Sequence, residues 1–412
     1  MIVTDPAVAL PVRTRFLYPS FRTWQRECHG NGILPVVGIS GARGKSTVLR
    51  LLESMLLASH LRTATWTDGG VEIRRRRQRG ELSGWMTALT RLVDLSIDVA
   101  LQELDWATVN AVGLPPGSYP AMAISGITSP ADAGRGPNAT EAALRAARRV
   151  VHAVHPNGFI VVSAADYQAL ELVANVDATV VLASLSSESP PLRRHLEDGG
   201  MAAWVRNGTI VFGDSEGQIR LCSVTEVPLT LNGEAAFNVS NVLIAVALAL
   251  CMGLDRPSIL NALRSFRPTW EILPRSLNLY EGPRYRAVVE RLGPAAALRP
   301  VLKAANPGHQ RRQVTVVGDL RALPSGEVIQ VGRLLGRYHG AIVLHSDQDS
   351  ERVQQFRSGL AENAYPPLFI YLPTERRAIN RALKTLRADD VLVVLTSGDA
   401  ASATRAIKRH IA

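Results

Sequence analysis

Residues Val36 to Leu56 read VVGISGARGKSTVLRLLESML: an apolar strand-like run, a glycine-rich turn, and a helical stretch with Val48, Leu52, Met55 and Leu56 on one face. The common phosphate-binding pattern is G-x-x-x-x-G-K-[ST]. Counted back from Gly44, it asks for glycine at position 39, which is Ile39; the glycines fall instead at Gly38, Gly41 and Gly44. A strand that ends in glycine-rich backbone and opens into a helix still gathers several N–H groups and a helix N-terminus around a phosphate. Lys45 is then placed to reach the outer phosphates, and the Ser46 hydroxyl to hold Mg²⁺. The expected ligand is a nucleoside triphosphate, gripped by Gly41, Ala42, Arg43, Gly44, Lys45, Ser46 and Thr47.

Working outward from that loop, a length of 412 residues allows two or three domains. The expected divisions are a lead-in at 1–31, a nucleotide-binding domain at 32–268 and a second α/β domain at 269–412. Apolar runs alternate with helical stretches: TATWT, a helix near Leu82 to Val93, DVALQEL, AMAISGI, a long helix from Ala142 to Val154, GFIVVSA and DATVVLAS. Strands separated by helices of this length imply a parallel sheet with right-handed crossovers. Residues 200–235 change character, with Asn-Gly and Glu-Gly turns between short alternating runs, the mark of β-hairpins. After an apolar helix beyond FNVSNVL, five further strands (YRAVVE, QVTVVGD, GAIVLHS, PLFIYLP, DDVLVVLTSG) with intervening helices predict an open doubly wound sheet.

Composition narrows the classes. Hydrophobic residues at 46% and charged residues at 20% describe a globular chain able to bury cores. Cys28, Cys222 and Cys251 are odd in number and far apart, which gives neither a disulfide framework nor a metal cluster and suits the cytoplasm. His152 and His155 read as a helix face rather than a metal pair. The opening residues lack the apolar region of a signal peptide. The most apolar run, Val242 to Leu254, is 13 residues, against the ~20 a membrane helix needs. A net charge of +10 favours anionic partners. The basic run RRRRQR, Arg74 to Arg79, has two readings: a solvated hairpin, or a basic rim for an acidic substrate. Nothing resembles an aromatic-interleaved RNA-binding module, so nucleic acid is a minor option.

GISGARGKST resembles the G-I-T-G-T-N-G-K-T-T loop of the Mur ligase superfamily, and its Arg-Gly-Lys-Ser version resembles that of poly-γ-glutamate synthetases. Further along, TDGGVEI, DVALQEL, HPNGFIVVSAADYQAL, FNVSNVLIAVALALCMGLDRPSILNALRSFRP and LPRSLNLYE are similar, in order, to segments of the Mur-like half of cyanophycin synthetase. The resemblance runs from about Leu34 to the end. It implies an ATP-binding domain whose parallel sheet carries a β-hairpin extension, followed by a Rossmann-like C-terminal domain. It implies an ATP-dependent amide ligase acting on carboxylate and amine substrates, with an acidic poly-amino acid among the candidates. Within that resemblance Glu103 shares the metal with Ser46, Asn241 either contacts adenine or caps its helix, and Glu290 accepts a ribose hydroxyl. The lead-in is too short for the UDP-sugar domain of the cell-wall enzymes.

Several positions depart from the family pattern. The helix lysine that steadies an acyl phosphate falls near Ala147, with Arg148 and Arg149 adjacent. The second metal position is left to Asp132, the linker arginine falls on Ser276 beside Arg275, and a histidine position is Gly293. Losing a preorganised cation from a phosphoryl-transfer site costs several kcal/mol. Two readings therefore stand. One is an active ligase with Lys45, Glu103 and Arg149 as catalytic groups. The other is an ATP-binding regulatory or scaffold subunit, associating with itself or with an active ligase.

Overall fold

The computed structural model describes residues 18–67, 69–73, 75–77, 97–129, 137–274, 276–306, 311–345, 351–398 and 400–411. Asp68, the helix expected near Leu82 to Val93, Asp132 and Arg275 lie outside them. The chain divides into two compact units, Met1–Phe266 and Arg267–Ala412.

The first unit is built on one eleven-stranded sheet. Its strands in chain order are β1 (Val36–Ser40), β2 (Thr63–Thr67), β3 (Gly70–Ile73), β4 (Arg76–Arg77), β5 (Val99–Leu104), β6 (Tyr119–Ile124), β7 (Val154–Ser163), β8 (Thr179–Ser184), β9 (Met201–Arg206), β10 (Thr209–Gly213) and β11 (Gln218–Ser223). Their order across the sheet is β11-β10-β9-β8-β7-β6-β1-β5-β2-β3-β4. From β2 to β9 the pairings are parallel. Antiparallel hairpins finish both edges. The β9–β10 turn is Asn207-Gly208, both with positive φ, as a tight hairpin of this hand requires.

Burial explains why the expected strands formed where they did. β1, β6 and β8 are buried along their whole length, so each reads as a continuous apolar run rather than an alternating one. The helix Ala236–Cys251 is buried on nearly every side and packs on β7, β8 and β9. The helix Lys45–Ala58 packs against it through a face that includes Val48, Leu52 and Met55, all fully buried. Burial also pushes the Cys28 thiol up to about 12 and the Cys222 thiol up to about 11, so these cysteines are packing groups. His155 stands near the start of β7 and not on a helix, its Nδ1 accepting from Asn157 N at 3.1 Å.

The lead-in is not a simple tail. Phe21–Gly30 is a helix capped by the Ser20 side chain, with Phe21, Trp24 and Cys28 buried along one stripe. It is tied to the foot of β5 by Asp98, whose side chain is 4% exposed. Asp98 accepts from Arg22 Nη1 (2.8 Å), Arg62 N (2.8 Å) and Arg62 Nε (3.1 Å). Burial alone would raise this carboxyl, but the bonds from Arg62 and Arg22 outweigh it and hold it well below the usual carboxylate range. A depressed carboxylate stabilises the fold above its unfolded pKa of about 3.9 and loses that contribution as pH falls towards its folded value. Asp98→Asn is therefore expected to cost about 1–3 kcal/mol at pH 7. In urea unfolding the gap from the parent should narrow below about pH 4; a gap that stays constant down to pH 2 would remove Asp98 as its source.

The second unit has a six-stranded sheet in the order β12-β13-β17-β14-β15-β16. The strands are β12 (Asn278–Glu281), β13 (Arg286–Arg291), β14 (Gln313–Val317), β15 (Gly340–Leu344), β16 (Leu368–Tyr371) and β17 (Val391–Thr396). All pairings are parallel except β12 with β13. Both units are α/β with mainly parallel sheets, as expected, while the edge strand β12 and the β2–β3 pairing are additions.

Candidate active site

The phosphate loop leaves the C-terminal end of β1, whose two neighbours lead the chain to opposite sides of the sheet. Such a switch point is where open α/β sheets bind ligands. The three glycines do different work. Gly38 lies inside β1, where a β-carbon would crowd the Met122, Leu104 and Tyr119 side chains; it serves packing and not the cradle. Gly41 (φ +137°) and Gly44 (φ +89°) form the loop itself. A β-carbon at Gly41 would collide with the Ser125 hydroxyl, and one at Gly44 with the Asn241 amide oxygen. The unusual spacing thus separates one packing glycine from two conformational ones.

The loop is braced from β6. Ser125 N donates to Ser40 O (2.9 Å), and Ala42 N donates to Gly126 O (2.8 Å). The Ser125 hydroxyl lies 2.5 Å from Arg43 O. Lys45 Nζ donates to Gly41 O at 2.9 Å, folding the ammonium back across the loop. Ser46 Oγ donates to Glu103 Oε1 at 2.8 Å. Glu103 is paired in register with Ile39 at the C-terminal end of β5, so the sheet itself carries it to the loop. Hydroxyl and carboxylate oxygens at this separation suit a hard divalent cation. Among the described residues no cluster of three or more His, Cys, Asp or Glu side chains forms a self-sufficient metal site. A cation here fits a set of these two oxygens completed by phosphate and water, the mode Mg²⁺ favours.

Asp105 follows β5 and caps the helix Trp106–Val112 by accepting from Thr108 N at 2.9 Å. Burial raises its carboxyl, but the Thr108 bonds and the charge of Lys45 outweigh that and hold it below its ordinary range. Asp166, at the end of β7, accepts from Ile127 N (2.8 Å) and Ala169 N (3.1 Å), joining β6 to β7 beside the loop. Neither Asp105 nor Asp166, nor Ser125, stood out in the sequence as a site residue. For the two aspartates the D-x-x-T and D-x-x-A capping spacing was the available signal; Ser125 has none, since its role depends on strand order.

Three expectations need correction. Arg149 does not approach the loop: its Nη1 donates to Val109 O (3.1 Å) and Asn110 O (2.8 Å), sealing the last carbonyls of the helix Trp106–Val112. It belongs to the last turn of the helix Pro137–His152, which ends beside Tyr119 at the start of β6. The loop sits past the other end of β6, roughly 16 Å away at about 3.3 Å per residue. Arg148 lines a cavity with His152 and Asp177 at that same far edge, and Ala147 is fully buried. Asn241 is not a helix cap: it is the sixth residue of Ala236–Cys251, whose N-cap position is Ala235. It is 6% exposed, pressed against Gly44, and donates to Asn238 Oδ1 at 3.2 Å. Glu290 lies in the second unit, 6% exposed, and its oxygens accept from Leu277 N (2.8 Å) and Arg291 N (3.1 Å). It fastens Leu277, a residue with positive φ, and is not an open ribose acceptor. Asp319 and Arg321 pair with each other at the surface. Of the basic run, Arg76 and Arg77 form the exposed edge strand β4, in keeping with the solvated hairpin.

Gly44→Ala tests the cradle. The positive φ costs an alanine about 1–2 kcal/mol, and the Asn241 oxygen blocks its methyl group. Nucleotide affinity, measured by titration calorimetry, is expected to fall about tenfold or more. Adding Asn241→Ala should relieve the collision and recover part of the loss; a double variant no better than Gly44→Ala would show that Asn241 does not press on the loop.

No protein-family model matches the chain. Cyanophycin synthetase from a Nostoc species is 24% identical over 386 residues, 92% of this chain and 42% of that protein. The chain thus spans about two-fifths of the length of the curated relatives it matches. Among solved structures, a UDP-N-acetylmuramoyl-L-alanyl-D-glutamate–2,6-diaminopimelate ligase superposes with TM-score 0.61 at 16% identity, covering 94% of this chain and 82% of that one. The folylpolyglutamate synthase/dihydrofolate synthase of Yersinia pestis, solved with AMPPNP and a manganese ion, gives TM-score 0.59 at 15% identity and covers 97% of this chain and 94% of that one. The chain is thus similar in sequence to cyanophycin synthetases, and its fold is that of the Mur-type and folylpolyglutamate ligases.

Proposed function

We propose that the chain is an ATP-dependent carboxylate–amine ligase. The observation that carries this reading is the Ser46–Glu103 pair, 2.8 Å apart, set beside a glycine cradle with Lys45 across its mouth. Mg²⁺ supplies charge neutralisation on the phosphates when bound. Ser46 and Glu103 are the groups to hold it, and the residues Gly41 to Thr47 orient the triphosphate. Lys45 moves from Gly41 O onto the outer phosphates and stabilises charge as the terminal phosphoryl passes to a substrate carboxylate oxygen. The products of that half are ADP and an acyl phosphate. An amine then attacks the acyl carbon, phosphate leaves with the C–O electron pair, and the nitrogen loses a proton to give the amide. With Arg149 sealed against a helix end, the electrostatic work in the first unit falls on Lys45 and the cation.

We assign the first unit to ATP binding and the second to a Rossmann-like C-terminal domain, with an amino acid or an acidic poly-amino acid as the carboxylate substrate. The test is ADP release from ATP and Mg²⁺, with and without acidic amino acids, polymers and amines. Release that requires both a carboxylate and an amine supports the ligase. Tight ATP binding without such release would replace it with a nucleotide-binding regulatory subunit.

A further inference from the structure

The second unit carries a basic groove of about 490 Å³ between the helices Glu375–Thr385 and Ala401–Ile411. The first helix has four cations and one acid, ERRAINRALKT; the second has three cations and none, ASATRAIKRHI. Both follow parallel strands, β16 and β17, and their starts lie side by side, with Ser402 Oγ 3.5 Å from Glu375 Oε2. Arg376 and Ser402 therefore mark one end of the groove and Arg409 the other. Arg405 lies between them, and Ile379 and Leu383 are among the apolar lining residues.

Ordinary helix chemistry accounts for only some of these charges. Cations in a last turn complement the helix dipole, which covers Arg409. Lys408 is paired with Glu271 at 2.8 Å. Arg376 sits in a first turn, the unfavourable end for a cation, and Arg405 is mid-helix. Among the described residues no carboxylate pairs with Arg376, Arg405 or Arg409. Four residues of helix separate Arg405 from Arg409, about 6 Å along the axis. Side chains on one face of an extended peptide recur every ~6.6 Å. Carboxylates borne on alternate residues can thus meet successive arginines, each through two parallel N–H···O bonds.

We propose that this groove binds an extended acidic peptide segment, with Arg376, Arg405 and Arg409 engaging its carboxylates. Single-stranded nucleic acid fits less well, because such grooves stack bases on aromatic rings. The one ring in this groove, His410, is bonded through Nδ1 to the Tyr285 hydroxyl at 2.9 Å. The groove is built from residues of the second unit alone, and its occupancy does not depend on whether the chain ligates.

The experiment is fluorescence anisotropy of a labelled 20-residue poly-L-glutamate with the full chain, in about 0.1 M salt and without ATP. Arg405→Glu and Arg409→Glu should each weaken binding about tenfold or more. Arg405→Lys, which keeps the charge, should lose much less. Arg220→Glu, an exposed residue of β11 in the other unit, changes net charge equally and should have an effect of less than about twofold. Melting curves matching the parent certify the variants. Absence of poly-glutamate binding overturns the proposal, as does an equal loss from Arg220→Glu. So does tighter binding of a 20-residue oligothymidylate with the same dependence on Arg405 and Arg409, which would make the groove a nucleic-acid surface.

Discussion

Lys45→Ala is expected to lower ATP turnover by about a thousandfold, equivalent to ~4 kcal/mol of barrier, while leaving the melting temperature close to the parent value. The stability half follows from the contact Lys45 makes: its ammonium donates to the backbone carbonyl of Gly41 at 2.9 Å, at a partly exposed site where water can replace it. The rate half follows because, among the described residues, neither arginine considered as a substitute takes over its place. Arg149 is held on the Val109 and Asn110 carbonyls at the far edge of the sheet. Arg43 is exposed, and through its carbonyl it braces Ser125. A cation that acts only as the phosphoryl group develops charge affects kcat far more than nucleotide binding. Steady-state ADP release with saturating substrates measures the effect. A loss below about tenfold would mean that another cation neutralises the phosphates and that the loop's lysine is dispensable.

The sequence displayed the phosphate loop because that site is local: strand, glycines, lysine and helix follow one another within 21 residues, Val36 to Leu56. Glu103 was legible for a related reason, since a carboxylate near the end of an apolar strand lands at the C-terminal edge of a parallel sheet. What could not be read was anything fixed by the rotation of one element against another. Arg148 and Arg149 stand on the correct helix by sequence order, but that helix runs antiparallel to the strands and delivers its last turn to the wrong edge. Glu290 alternates into the core of β13, where Leu277 N needs an acceptor, and no pattern in the linker announces a left-handed leucine. Asn241 has two local readings in the sequence and a third role in the structure, against Gly44, because the buried helix Ala236–Cys251 packs on the helix Lys45–Ala58. In the lead-in, the spacing of Phe21, Trp24 and Cys28 is that of one helix face, and Phe21–Gly30 is a helix.

Arg50→Ala is expected to cost about 3–5 kcal/mol of stability. Arg50 stands five residues beyond Lys45 on the same helix, with its side chain 10% exposed. It makes a two-pronged pair with Glu72 of β3, both contacts 2.8 Å, and bonds Glu53 at 3.2 Å. Glu53 is the vulnerable member: its side chain is 1% exposed and its Oε1 has no hydrogen-bond partner. Without Arg50 its remaining cation is Arg75, 3.4 Å away and 39% exposed. A buried carboxylate left with one longer, partly exposed partner is the expensive outcome, not the loss of attraction as such. Removing both charges should therefore recover much of the loss, so that Arg50→Met with Glu53→Gln is more stable than Arg50→Ala. The same cluster ties the phosphate-loop helix to the edge hairpin β2–β3. Loosening it should also raise the KM for ATP through the loop's helix, although Arg50 itself lies away from the loop. Urea unfolding of Arg50→Met, Glu53→Gln and the variant carrying both, followed as a double-mutant cycle, reads the coupling directly. If Arg50→Ala unfolds within about 1 kcal/mol of the parent, the cluster is no better than a surface ion pair, and the hairpin must be held to the sheet by its backbone ladder alone.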